Sequence, residues 1–259
     1  LYSSCTEPEE EEKTTVKVRV DDVAALAGWH AKLRPIGSNL PNDPEKVEKY
    51  GTKIIIYTDD VRYREGKITL GALRKVFPKD LVSEHSDEEL LDNAIRMTML
   101  HEITEAVVKY PSSVVRLEDM YTPVKELHAT IVGLKGCTFH VLKGILTQKD
   151  FKELLMVLIS RLFETGIRRE QSKGIEAYFR GYLVAVNFFL DQGALELKDG
   201  IFVPDFEKLF VSLDGLASVL THLMSEGSKW EARKFFEQYE NYGVLEKFSS
   251  RMEELEATL

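Results

Sequence analysis

The spacing of apolar and polar residues changes period along this chain. Thr14 to Val20 (TTVKVRV) alternates apolar with polar, as a half-buried strand does. Lys53 to Thr58 (KIIIYT) is rich in β-branched residues and predicts a buried strand. Between them, Asp21 or Asp22 is placed to cap a short helix over 22–27. Pro35 to Pro44 (PIGSNLPNDP) is dense in turn formers. A helix is predicted from Thr69 through Val76, with Pro78 ending it. From residue 86 the helical period dominates. Ser86 followed by Glu89 has the spacing of a capping box, with helix to about Tyr110 and a stop at Pro111. Further helices are expected over 122–145, 149–165, 170–191, 204–226, 228–240 and 243–257. Leu195 to Val203 (LELKDGIFV) reads as a hairpin turning at Asp199-Gly200.

These elements predict a mainly α protein: a helical portion over 87–259, with a small mixed α/β portion over 1–86 packed on it. With 259 residues, 44% of them hydrophobic, the chain has material for a sizeable core. The net charge of −9 argues against a nucleic-acid partner, and Arg168-Arg169 is too short a basic run to reverse that. No apolar run reaches the roughly 18 residues of a membrane span. Glu9 to Glu12 are consecutive and read as a solvated acidic segment. Two cysteines, Cys5 and Cys137, form no CxxC pair and no disulfide framework, so a reduced, cytoplasmic protein is expected. The first residues show no signal-peptide pattern, but the chain begins at Leu1 rather than Met, as a piece of a longer protein would.

The sharpest chemical feature lies in Met99 to Val107 (MLHEITEAV). At 100° per residue, Leu90, Ala94, Glu105 and Val108 fall within about 40° of His101, while Leu91, Ile95 and Ala106 lie near Glu102. Met99, Leu100, Ile103 and Val107 fill the remaining side, so the helix is apolar almost all round and should be buried. Glu102 and Glu105 then need a cation, a metal or a raised pKa. His-Glu on a helix suits zinc hydrolysis, in which His binds the metal and Glu serves as general base. Here the residue four places after His101 is Glu105, giving HExxE, and a carboxylate also ligates zinc. The competing reading of these five residues is a helix whose carboxylates pair with neighbouring helices.

Several segments in order resemble the dipeptidyl-peptidase III family of zinc metallopeptidases, and especially its shorter relatives, such as the domain fused to Nudix hydrolases in plants. They are Ser38 to Asp43 (SNLPND), Tyr50 to Ile56 (YGTKIII), the His-Glu helix, Lys125 to Leu134 (KELHATIVGL) and Asn187 to Leu195 (NFFLDQGAL). The resemblance spans most of residues 28 to 240 and implies the C-terminal half of a longer protein, its N-terminal half missing. It also implies a zinc-dependent hydrolase of short peptides or other small amides, attacking a polarised carbonyl with metal-bound water. In the family's HExxxH pattern His101 matches the first ligand, Glu102 the base, and Glu126 the carboxylate ligand of the second helix. The second His is replaced by Ala106, the first Glu of the family's pair by Lys125, and a later acid by Thr130. A His that supports the transition state in the family corresponds to Tyr178 here. The family's ligand spacing is about 140° on a regular helix and needs a π-bulge. A regular helix here presents Glu105 beside His101 instead. Two outcomes follow: a re-made zinc site of His101, Glu105 and Glu126, or a non-catalytic binding or scaffold descendant that has lost the metal, with Lys125 neutralising Glu102 or Glu126. His128, His140 and His222 are expected to be ordinary core or surface histidines.

Overall fold

The computed structural model describes residues 16–21, 37–40 and 51–257. The short helix expected over 22–27 and the acidic segment lie outside them. Three strands form one sheet: β1 (Val16–Asp21), β2 (Gly37–Leu40) and β3 (Thr52–Tyr57). β3 is central, parallel to β1 and antiparallel to β2. Its alternate residues Ile54 and Ile56 are fully buried, because a central strand has no edge to expose and its β-branched side chains pack against the helices.

Helical structure begins earlier than the expected Thr69. Helix α1 (Thr58–Arg64) passes through a π-helical turn, Glu65–Thr69, into α2 (Leu70–Val76). The stretch Asp59 to Lys67 is charge-rich, so apolar spacing hides its helical character. Asp59 and Asp60 nonetheless sit in its first turn, where carboxylates favour a helix start. Phe77 then turns extended before Pro78, and a single turn, α3 (Lys79–Ser83), follows.

The His-Glu helix α4 (Asp87–Val107) starts with the Ser86/Glu89 capping box. It stops at Val107, short of the expected Tyr110. Val107 is exposed, so further helix would bury nothing there, and Val108 turns extended. Nor is α4 apolar-buried all round, since this end reaches solvent. After the short α5 (Ser113–Leu117) and a 3₁₀ turn comes α6 (Tyr121–Leu142), then α7 (Gln148–Arg168) and α8 (Lys173–Asp191). The hairpin β4 (Leu195–Lys198) and β5 (Ile201–Pro204) turns at Asp199 (φ 51°) and Gly200 (φ 69°), the left-handed pair that a two-residue turn requires. Helices α9 (Phe206–Ser225) and α10 (Lys229–Tyr239) follow. The single helix expected over 243–257 is two: α11 (Gly243–Glu246) and α12 (Ser249–Glu256). Phe248 breaks it by burying its ring against Phe163 and Phe202, at centroid distances of 5.0 and 4.9 Å. Packing of one aromatic side chain outweighs a local helical preference worth tenths of a kcal/mol per residue.

One apolar core runs from Ile54 of the sheet to Leu255 of α12. Within it, α4 and α6 approach closely. A Cβ on Gly133 would stand 3.0 Å from the Leu100 carbonyl oxygen, so glycine sets the distance between the two helices that bear the acidic groups. Ile131 and Val132 of α6 are buried. Among the described residues, no helix is long and apolar enough to cross a membrane.

Candidate metal centre and adjoining cavity

Helix α4 is regular at His101, so Glu105 lies one turn on, with Oε1 3.6 Å from His101 Nε2. From α6, Glu126 Oε2 stands 3.3 Å from the same nitrogen. From α8, the Tyr178 hydroxyl reaches it at 3.4 Å. Three helices thus aim their polar groups at one imidazole nitrogen. Among the described residues, His101, Glu105 and Glu126 form a group whose ligand atoms all lie within 4.8 Å of one another.

The other face of the ring explains why. Thr130 donates its hydroxyl hydrogen to the Glu126 backbone carbonyl at 3.1 Å. The hydroxyl oxygen therefore accepts from His101 Nδ1–H, 2.9 Å away. A neutral His101 then carries its proton on Nδ1 and turns a lone pair toward two carboxylates. Such an arrangement needs a positive charge between them, either a proton on Nε2 or a metal ion. Burial opposes the imidazolium, but the hydrogen bonds to Glu105 and Glu126 outweigh it and lift His101 to about 10. Burial likewise works against the Glu105 charge, while His101 and Lys125 overcome it and hold that carboxyl at about 2.

The donor set fits zinc in kind and spacing. Zinc–nitrogen and zinc–oxygen bonds of about 2.0–2.2 Å place tetrahedral ligands roughly 3.3–3.6 Å apart. The two contacts of Nε2 match those edges. Thr130 orients the imidazole from behind, as a partner of a metal-bound histidine does. Lys125 is the opposing feature. Its ammonium lies 2.7 Å from Glu105 Oε1 and 3.1 Å from Glu126 Oε1, so it bridges the two carboxylates rather than neutralising Glu102. Part of the charge that a metal would use is already balanced.

Glu102 faces a different space. It lines a cavity of about 330 Å³ together with His101, Tyr178 and Gly37 of β2. A side chain at position 37 would collide with the carboxylate, its Cβ 2.7 Å from Oε1, so glycine lets the strand lie against Glu102. Burial raises Glu102 to about 7, the range of a general base at neutral pH. Of the residues singled out in the sequence, His101, Glu102 and Tyr178 line this cavity, while Glu105 and Glu126 meet His101 beside it. What sequence reasoning missed is Thr130, read as a lost acid, and the far wall of the cavity, made by Arg64, Glu65, Arg161, Glu164 and Arg168. The remaining histidines stand apart. His128 is buried edge-on to Tyr110, and its burial drops it to about 4. His222 is exposed beside Glu231. Cys137 is buried and free.

No protein-family model matches the chain. It is 23% identical over 232 residues to Nudix hydrolase 3 of Arabidopsis thaliana, a match covering 86% of this chain and 29% of that protein. Its fold is that of dipeptidyl-peptidase III structures. A DPP III from Caldithrix abyssi superposes with a TM-score of 0.71 at 20% identity, over 87% of this chain and 42% of that one. The dipeptidyl-peptidase III of Corallococcus sp. strain EGB gives 0.70 at 21% identity, over 86% and 44%. The chain therefore spans under a third of the plant relative and under half of each solved structure.

Proposed function

We propose that this chain is a zinc-dependent hydrolase of short peptides or similar small amides, with His101, Glu105 and Glu126 as the metal ligands. One observation carries the reading: Nε2 of His101, its tautomer set by Thr130, faces two carboxylates at zinc-like spacings of 3.3 and 3.6 Å. Zinc held there would supply Lewis-acid polarisation of the scissile carbonyl. The chain's own groups do the rest. Glu102, at about 7, is part-ionised at neutral pH and takes the proton of the attacking water before returning it to the leaving amine. The Tyr178 hydroxyl, protonated throughout because its burial and three carboxylates raise its pKa, offers a donor beside the reacting carbonyl. The bound substrate excludes water from the cavity that these two groups share. Nothing in this scheme needs a membrane, and the buried free Cys137 suits a reducing cytoplasm.

The Lys125 bridge favours a second reading, a non-catalytic binding module that has replaced the metal by an ammonium. Metal analysis separates the two. Purified chain, chelated and then given one equivalent of zinc, should retain it and melt higher, while Glu126→Gln should lose the zinc-dependent part of the shift. A wild type whose melting ignores zinc, and which leaves a panel of short peptides intact, establishes the second reading.

A further inference from the structure

The Tyr178 hydroxyl stands 3.4 Å from His101 Nε2, between the 3.3 Å of Glu126 and the 3.6 Å of Glu105. The cluster therefore offers four donors: one imidazole nitrogen, two carboxylate oxygens and a phenol oxygen. Each oxygen is separated from that nitrogen by the ligand–ligand distance that zinc bonds of about 2.0–2.2 Å impose on a tetrahedron. The phenol also hydrogen bonds the Glu126 side chain, so it touches two of the three proposed ligands.

Helix packing fixes the oxygen in that place. At Gly181 an added Cβ would stand 3.2 Å from the Leu127 Cβ, so glycine lets α8 lie close against α6 beside Glu126. The Tyr178 ring lies 5.6 Å from the imidazole and stacks on Tyr182, one turn on, at 6.5 Å with 21° between the planes. Tyr182 is buried and hydrogen bonds Arg161. Arg161 Nη2 is itself held by Glu65 at 2.8 Å, the Thr98 hydroxyl at 3.0 Å and the Ala94 carbonyl at 3.1 Å. A side chain ordered in this way loses little further freedom on binding. Charge fits as well. Two carboxylates neutralise a zinc ion, and a phenolate adds one negative charge. Lys125, 2.7 Å from Glu105 and 3.1 Å from Glu126, places an ammonium where it balances that charge. The residue that opposes a three-ligand centre is the cation that a four-ligand centre needs.

We infer that Tyr178 is the fourth ligand of the metal centre, its phenolate oxygen closing the site until a substrate displaces it. The inference rests on the metal reading of the cluster and gives that site a closed resting state. On loading, the Oη–H bond breaks, the proton passes to water and the oxygen bonds to the metal. On displacement that bond breaks, water returns a proton, and the phenol takes up its donor role beside the substrate carbonyl. Copper(II) tests the assignment, because an N/O site binds copper more tightly than zinc and a copper–phenolate bond absorbs strongly in the visible. Chelated protein given one equivalent of copper(II) should develop this charge-transfer band. Tyr178→Phe should abolish the band, and Tyr182→Phe should keep it. By calorimetry, Tyr178→Phe should also bind zinc about tenfold or more weakly. Loss of a hydrogen bond to Glu126 would weaken zinc too, and the band separates the two cases. Copper bound without the band overturns the assignment, as does a band that survives in Tyr178→Phe. If Tyr178→Phe does not fold, the band in the wild type and in Tyr182→Phe decides alone. Band present and short peptides left intact would sink the hydrolase reading while Tyr178 stays a ligand. Zinc-dependent hydrolysis without the band would sink the Tyr178 assignment alone. A chain that binds neither metal overturns both.

Discussion

Two buried histidines make contact with glutamates on neighbouring helices, and they are built differently. His85, beside the start of α4, meets Glu153 of α7 at 2.6 Å through Nδ1. The other oxygen of that carboxylate accepts from the Asn93 side chain, and Lys149 stands 3.8 Å away. One imidazole faces one carboxylate whose two oxygens are both engaged, at the short distance of a charge-assisted hydrogen bond. His101, one helix further along, faces two carboxylates at 3.3 and 3.6 Å, neither within that range. The first arrangement closes on itself and ties α7 to α4. The second leaves room at its centre for a ligand bound by all three groups. Short contacts with saturated oxygens mark structure; longer, convergent contacts around an oriented nitrogen mark a site.

The largest expected effect tests whether the second cluster is catalytic. Glu102→Gln should cut peptide hydrolysis by roughly 10²–10⁴-fold while zinc content stays at the wild-type level, because the base is not a ligand. Loss of zinc in this variant would place Glu102 among the ligands and undo the division of labour between the two faces of α4.

The structural pair should respond in the opposite currency. Glu153→Ala leaves His85 and Asn93 without their acceptor in a site that is 1% exposed. A loss of about 2–4 kcal/mol in denaturant unfolding is expected, equal with and without zinc. Any zinc dependence of that loss would show the two clusters to be one system.

The distinction was only partly legible before the fold. Capping boxes at Ser86 and the Asp199-Gly200 turn are local devices, and their sequence spacing is their geometry. His101, Glu102 and Glu105 were readable because an α-helix fixes the i+4 neighbour. Thr130 was not, since its meaning depends on which ring nitrogen lies across from it on another helix. Read as a lost acid, it orients the imidazole through a hydroxyl. The far wall of the cavity was hidden for a related reason. Arg161 sits in the middle of an amphipathic helix, and its partner Glu65 comes from a π-helical turn that no apolar period announces. In the sequence, Arg168 reads only as half of the short basic pair Arg168-Arg169.

The pH dependence sharpens the comparison further. His101, raised to about 10, must give up its Nε2 proton before that nitrogen can ligate. Zinc affinity should therefore tighten by about tenfold per unit between pH 7 and 9. The metal-free protein should behave in the reverse sense. A histidine whose folded pKa is raised contributes its full stability below the unfolded value near 6.5, and loses it as pH climbs through 10. Zinc titrations at three pH values, paired with melting curves in chelator, measure both slopes. A flat zinc affinity would mean that Nε2 takes no part in binding.

Lys125 gives the smallest effect and the finest test of which reading holds. Its ammonium touches both candidate ligands, yet the side chain is 30% exposed, so water and salt screen much of its field. Removing it by Lys125→Met takes away a competitor for the Glu105 and Glu126 charges. If the cluster is a metal centre, zinc should bind only a few-fold tighter, an increment of roughly 1 kcal/mol or less. The metal-free variant should melt slightly lower, because two part-buried carboxylates then share His101 alone as their cation. The signs are opposite, and that opposition is the discriminating result. In a module that has exchanged metal for ammonium, Lys125 is the structural cation. Its loss would then lower the melting temperature by the same amount with zinc present as with zinc absent, and the His101 cluster would belong with His85 as a closed, structural contact.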